Sequence, residues 1–174
     1  MPNERAHASL RNTRPTWTDG IWSDGPACAH RIALVSGYFN PVHVGHLRLF
    51  EEAAILAQHL IVIVNNDSQQ LMKKGRVISR LADRLEIVKA FRVVDGAIPA
   101  VDADLTVQQT LEALRLALPL AHLLFANGGD CSEAQVVAEA PLCARLDIEM
   151  VFGVGGTQKA DSSSRINADL EAES

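Results

Sequence analysis

Short apolar runs alternate with amphipathic stretches along most of this chain, and the two patterns predict strands and helices in turn. Ile32 to Val35 is a β-prone run, followed by Ser36-Gly37 and a loop. From His46 the residues Leu47, Leu49, Phe50, Ala53, Ala54 and Ala57 recur at spacings of three and four, as one buried helix face requires. Leu60 to Val64 gives a second buried strand ending in Asn65-Asn66-Asp67. A polar loop carrying Lys73, Lys74 and Arg76 then precedes a helix over Arg80 to Phe91, with Leu81, Leu85, Val88 and Phe91 on one face. Val93 to Pro99 is short and fits either type. Thr106 to Leu118 reads as a helix, and His122 to Ala126 as a further buried strand closed by Gly128-Gly129-Asp130. Glu133 to Leu146 is helical except at Pro141, which breaks or kinks it. Ile148 to Phe152 is strand-like, and Ser162 to Leu170 reads as a short final helix with a serine cap.

Each predicted strand is a continuous apolar run, which indicates a parallel sheet covered on both faces. The expected fold is therefore α/β: a doubly wound, Rossmann-like parallel sheet. Ligands of such sheets bind beyond the carboxyl ends of the strands, where strand order reverses. Residues 1–30 show no sustained periodicity and hold Pro2, Pro15, Pro26, Gly20 and Gly25, so they read as an N-terminal extension preceding one domain over 31–174. Trp17 and Trp22 are its large apolar groups, suited to docking on the domain or on a second subunit.

Composition narrows the class. With 174 residues, 48% hydrophobic and 21% charged, the chain has room for one core and is too apolar for disorder. A formal net charge of −5 argues against a broad nucleic-acid surface, though not against a small phosphate site. No apolar run approaches the roughly 20 residues a membrane span needs, and no secretory signal pattern opens the chain, so cytoplasm is the expected compartment. Cys28, Cys131 and Cys143 form no C-x-x-C pair and read as reduced thiols.

The chemistry concentrates in Ser36-Gly37-Tyr38-Phe39-Asn40-Pro41-Val42-His43-Val44-Gly45-His46, which runs straight into the first helix. A helix N-terminus offers unpaired N–H groups and the positive end of its dipole to a phosphate, and Gly45 lets that phosphate approach closely. Three residues apart, His43 and His46 can share the first-turn space and donate to oxygens that gain negative charge. A zinc site would need a third ligand that neither His59, His122 nor the cysteines supply in a recognisable pattern.

Gly37 to His46 resembles the signature of the HxGH nucleotidyltransferase superfamily, most closely its cytidylyltransferase-like branch. Val64-Asn65-Asn66-Asp67, Lys73-Lys74-Gly75, Arg84, Gly128-Gly129-Asp130 and Ser162-Ser163-Ser164 follow in the order seen in glycerol-3-phosphate cytidylyltransferases and heptose-phosphate nucleotidyltransferases. The resemblance implies transfer of CMP from CTP, or of AMP from ATP, to a phosphorylated small molecule with release of pyrophosphate, with Mg²⁺ accompanying the triphosphate. It implies that His43, His46 and Lys73 or Lys74 act on the phosphates, and that Arg84 meets the acceptor. Tyr38, Phe39, Asn40, Gly45, Gly128, Asp130, Lys159, Ser162, Ser163 and Ser164 are then expected around the nucleotide. No residue is expected to hold a metal by itself, and a homodimer is compatible with the family. The chain departs from the pattern at Thr157, where relatives carry an arginine, with Lys159 two residues on, and at Asn40, where cytidylyltransferases often have Asp. The departures leave open an adenylyltransferase and a nucleotide-binding regulator without turnover. A dinucleotide oxidoreductase would need a G-x-G-x-x-G turn that the residues after Gly37 do not supply.

Overall fold

The computed structural model describes residues 17–18, 21–22, 30–128 and 138–156. Five parallel strands form one sheet in the order β5-β4-β3-β6-β7: β3 (Arg31–Gly37), β4 (His59–Val64), β5 (Gly96–Pro99), β6 (His122–Gly128) and β7 (Glu149–Val154). The chain starts at the central β3, steps outward through β4 to β5, then returns to the other side for β6 and β7. Strand order thus reverses between β3 and β6, as a doubly wound sheet requires. Within residues 1–30, β1 (Trp17–Thr18) and β2 (Ile21–Trp22) pair antiparallel with Trp17 opposite Trp22, a hairpin too short for periodicity to reveal.

Successive residues of each central strand serve opposite cores, which is why the strands lack polar alternation. Ile32, Leu34, Ile61, Ile63, Leu123 and Phe125 face one core with Leu111 and Leu114 of α4 (Gln108–Ala117) and Leu142 and Cys143 of α5 (Ala140–Arg145). Ala33, Val35, Leu60, Val62, Val64 and Leu124 face the other, with Phe50 and Ala53 of α1 (Val44–Ile55) and Val88 of α3 (Leu81–Lys89). Burial holds the Cys143 thiol near pKa 11, so it is an inert core residue. No helix among the described residues is long and apolar enough to cross a membrane.

Two expectations change. Lys73 and Lys74 lie not in a loop but in the last turn of α2 (Asp67–Lys74). Asn66 caps it by accepting from Gln69 N at 2.9 Å, the Gln69 side chain returns to Asn66 N at 2.9 Å, and Gly75 closes it in the left-handed conformation. Its buried face is Gln69 and Gln70, so hydrophobic spacing could not report it. Pro141, expected to break or kink a helix, stands in the first turn of α5, where no N–H partner is lost. The expected final helix over Ser162 to Leu170 lies outside the described residues.

Helix α1 is seated against the ends of β6 and β7 by close approach. A Cβ on Gly128 would stand 3.0 Å from both Leu49 Cδ1 and the Val154 carbonyl. At Gly155, whose φ is +88°, it would stand 3.0 Å from Leu49 Cα. Gly155→Ala is therefore expected to destabilise the fold by about 1–3 kcal/mol, through left-handed strain plus displacement of α1. Urea unfolding measures it, and an unchanged midpoint would contradict this packing.

Candidate functional site

The loop after β3 turns sharply before α1. Phe39 holds a left-handed φ of 51°, the Asn40–Pro41 peptide is cis, and a Cβ on Gly37 would meet the Phe39 ring at 2.8 Å. Glycine at 37 thus makes room for the ring that supports the site. Phe39 is buried, with its centroid 5.0 Å from that of His46 and 5.2 Å from that of Phe50. It was expected beside the nucleotide; it is instead the floor under His46.

His43 and His46 cap α1 reciprocally. His43 Nδ1 accepts from Gly45 N at 3.2 Å, and His46 Nδ1 accepts from His43 N at 3.3 Å. The rings stack with centroids 3.8 Å apart. A ring nitrogen that accepts carries no proton, so both imidazoles hold theirs on Nε2. Burial, then the neighbouring His43 and Lys74, lower the His46 pKa to about 4, which keeps it neutral. Gly45, expected to let a phosphate approach closely, donates its N–H to His43 Nδ1. The first-turn donors therefore reach the mouth through imidazole.

Cations gather beside them. Lys74 Nζ donates to the Asn40 carbonyl at 3.2 Å, and burial together with Lys73 and Arg84 lowers its pKa. Lys73 Nζ lies 4.7 Å above the Tyr38 ring. The Tyr38 hydroxyl reaches the Gln69 carbonyl at 3.5 Å, and burial raises its pKa, so it stays a phenol.

Arg84 and Asn40 take positions other than those expected. Arg84 is 1% exposed. Its guanidinium donates to the carbonyls of Ser79 and Tyr38, each at 3.0 Å, to that of Asn65, and to Asp67 Oδ1 at 2.7 Å. It joins four segments from within, its donors engaged by the protein. Asn40 is buried and donates to Gln70 Oε1, which also accepts from Ile78 N. Gly128, expected near the nucleotide, makes room for Leu49. Asp130, Lys159, Ser162, Ser163 and Ser164 lie outside the described residues.

Sequence reasoning missed the polar scaffold. Asn66 Nδ2 donates to the Ala100 and Asp102 carbonyls, and Gln69 Nε2 to those of Asp104 and Thr106, each at 2.7 Å for Gln69. The available signal was Asn66-x-x-Gln69, a capping-box spacing. Among the described residues no three His, Cys, Asp or Glu side chains group as a metal site. The donor set at the mouth is imidazole N–H and ammonium, which suits anions.

Comparison with known proteins agrees with this geometry. The profile of the family described as cytidylyltransferase-like matches residues 34–153. The bifunctional protein HldE of Coxiella burnetii (strain Dugway 5J108-111) is 34% identical over 79 residues, 44% of this chain and 17% of that protein. The FAD synthase of Pyrococcus horikoshii is 39% identical over 66 residues, 37% of this chain and 45% of that enzyme. This chain thus spans less than half the length of these curated relatives. A lipopolysaccharide core biosynthesis protein from Thermoplasma volcanium shares the fold with a TM-score of 0.56 at 19% identity, over 75% of this chain and all of that one. The sheet is the nucleotidyltransferase type of Rossmann-like fold, and the chain belongs to the cytidylyltransferase-like family.

Proposed function

We propose that this protein transfers a nucleoside monophosphate from a nucleoside triphosphate to a phosphorylated small molecule, releasing pyrophosphate, with CTP the first donor to test and ATP the second. The observation that carries the reading is the reciprocal histidine cap, which puts the ring proton of His43 and of His46 on Nε2 beside Lys74 at the N-terminus of α1. An acceptor phosphate oxygen attacks the α-phosphorus, the bond to the bridging oxygen of the β-phosphate breaks, and pyrophosphate leaves with that electron pair. The nucleophile is already an anion, so no general base is required. The protein's part is positioning and stabilisation of spreading negative charge.

In this reading His43 and His46 donate to the α-phosphate and the leaving pyrophosphate. Lys74, whose charge reaches His46, neutralises phosphates of both substrates, while Lys73 holds the Tyr38 face. Arg84 and Asn40 act as positioning residues. Mg²⁺ arrives with the triphosphate and lowers its charge. The family's name supports CTP. FAD carries an adenylyl group, so similarity to an FAD synthase supports ATP equally.

A pyrophosphate-release screen of CTP, ATP, UTP and GTP against phosphorylated acceptors tests this, with release expected only when donor and acceptor are both present. Nucleotide binding without release under any combination would leave a binding regulator. His46→Ala should lower kcat by about 10²–10³-fold with the fold intact, the loss expected for one transition-state donor. Lys74→Ala should cost far more activity than Lys73→Ala, and equal small losses would mean that neither meets phosphate.

The pH dependence has a definite sign. As pH falls, the unfolded chain protonates His46 near 6.5 and the folded protein only near 4. Stability from the neutral ring is complete above about 6.5 and declines as pH drops from about 6.5 to about 4. Imidazole NMR should show the Nε2–H tautomer with a midpoint near 4, moving upward when a triphosphate binds. A midpoint near 6.5 in the free protein would refute the arrangement.

A further inference from the structure

The carboxamide of Asn127 differs from the buried amides at the site. Asn40, Asn65, Gln69 and Gln70 each have protein partners, whereas Asn127, on a half-buried residue, has a buried Nδ2 with no partner among the described residues. Unpaired buried donors are disfavoured in a finished interior, and native exceptions call for a functional explanation. Asn127 is the penultimate residue of β6, and β6 adjoins β3 at the reversal of strand order. The crevice beyond that reversal is where doubly wound sheets take their ligands. The neighbouring register is also irregular. Ala126 pairs with Val151 but Gly128 with Val154, so Asn127 sits across a bulge in β7. A bulge interrupts regular alternation and re-aims side chains.

Charge distribution says which part of a substrate reaches this amide. Lys73, Lys74 and Arg84 are carried by α2 and α3, between β4 and β5 in the chain and on one side of β3. Across β3, the described ends of β6 and β7 present Asn127, Gly128, Gly155 and Gly156, with the Glu52 carboxylate of α1 accepting from Gly155 N at 2.7 Å and no cation among these strand-end residues. A triphosphate at the start of α1 thus has cations on one flank, suited to its own phosphates and the acceptor's, and a neutral donor on the other. The flank whose described strand ends carry no cation suits the nucleoside better than the phosphates.

We infer that Asn127 is a specificity-determining residue that donates from Nδ2 to an acceptor atom of the nucleoside. This rests on the nucleotidyl-transfer reading and adds to it a contact that discriminates a nucleotide from bare polyphosphate. Among the described residues Asn127 Nδ2 has no partner, so truncating the side chain removes no hydrogen bond from that nitrogen to any of them. Function and stability therefore separate at this position.

The test is equilibrium binding of ATP, CTP, GTP, UTP and inorganic tripolyphosphate to the wild type and to Asn127→Ala, with melting temperatures for both. The preferred nucleotide should bind Asn127→Ala about tenfold more weakly, the loss of one buried hydrogen bond, while tripolyphosphate affinity stays within about twofold and melting is not lowered. Asn127→Asp, equal in size but an acceptor only when ionised, should lose at least as much. Deoxynucleotides then locate the contact. Wild-type binding of a 2′- or 3′-deoxy form as weak as the variant's binding of the parent places it on the ribose, and undiminished deoxy binding places it on the base. Unchanged nucleotide affinity in Asn127→Ala, or an equal loss for tripolyphosphate, overturns the inference and leaves the proposed reaction standing. A wild type that binds no nucleotide better than tripolyphosphate, and releases pyrophosphate with no acceptor, overturns the reaction itself.

Discussion

Because the guanidinium of Arg84 is buried, it must find its partners inside the protein, and where it finds them decides the shape of the mouth. Its carbonyl partners belong to Tyr38 in the loop before α1, to Asn65 at the end of β4 and to Ser79 before α3, and its carboxylate partner, Asp67, opens α2. A buried charge stripped of such partners costs several kcal/mol, so none of these segments can drift without exposing the others to that cost. Gln70 repeats the tie with a neutral group, accepting from Asn40 and Ile78 and donating to the Ser79 carbonyl at 3.0 Å. The helix carrying Lys73 and Lys74 is thereby fixed against the loop carrying the histidines.

That fixation brings like charges together. Lys74 feels Lys73 and Arg84, and His46 feels His43 and Lys74, each in the direction that disfavours the proton. The nearby carboxylate, Asp67, is engaged with Arg84. Such a concentration of positive charge around a neutral imidazole is the observation that the proposed polyanion site rests on. It also sets the protonation state usefully. A neutral His46 with Nδ1 committed to the backbone can only donate from Nε2, and it does so without adding a further fixed charge before the anion arrives.

Much of this frame was legible from residue pattern. The apolar runs at Ile32 to Val35, Leu60 to Val64 and His122 to Ala126 are three adjacent strands of the sheet, because burial on both faces leaves no polar position to hide them. The histidine pair was legible because its spacing places both rings in one helical turn. Helix α2 was not, since its inward residues are Gln69 and Gln70 and they are held by amide hydrogen bonds that no hydropathy pattern registers. The inward contacts of Phe39, Asn40 and Arg84 were not legible for a related reason. Their types suggest ligand contact, but the loop before α1 and the helix α3 set their side chains against the protein, where a ring supports His46, an amide meets Gln70 and a guanidinium joins backbone carbonyls. Whether a polar group faces a ligand or a neighbour is decided by long-range packing.

The same long-range packing links the back of α1 to its front. Leu49 lies against Gly128 and Gly155, and Glu52 accepts from Gly155 N at 2.7 Å, so the strand ends hold the helix from behind while Phe39 supports His46 ahead. A shift of α1 toward the glycines is blocked by backbone contact, and a shift away opens the core around Phe50. The helix is therefore confined along the axis that carries its histidine cap. For the nucleotidyl transfer proposed above, whose nucleophile and leaving group would both come from substrate, such confinement would be most of what a protein contributes. Glycines remote from the histidines thus bear on the proposed site, because they set the position of the cap without touching it.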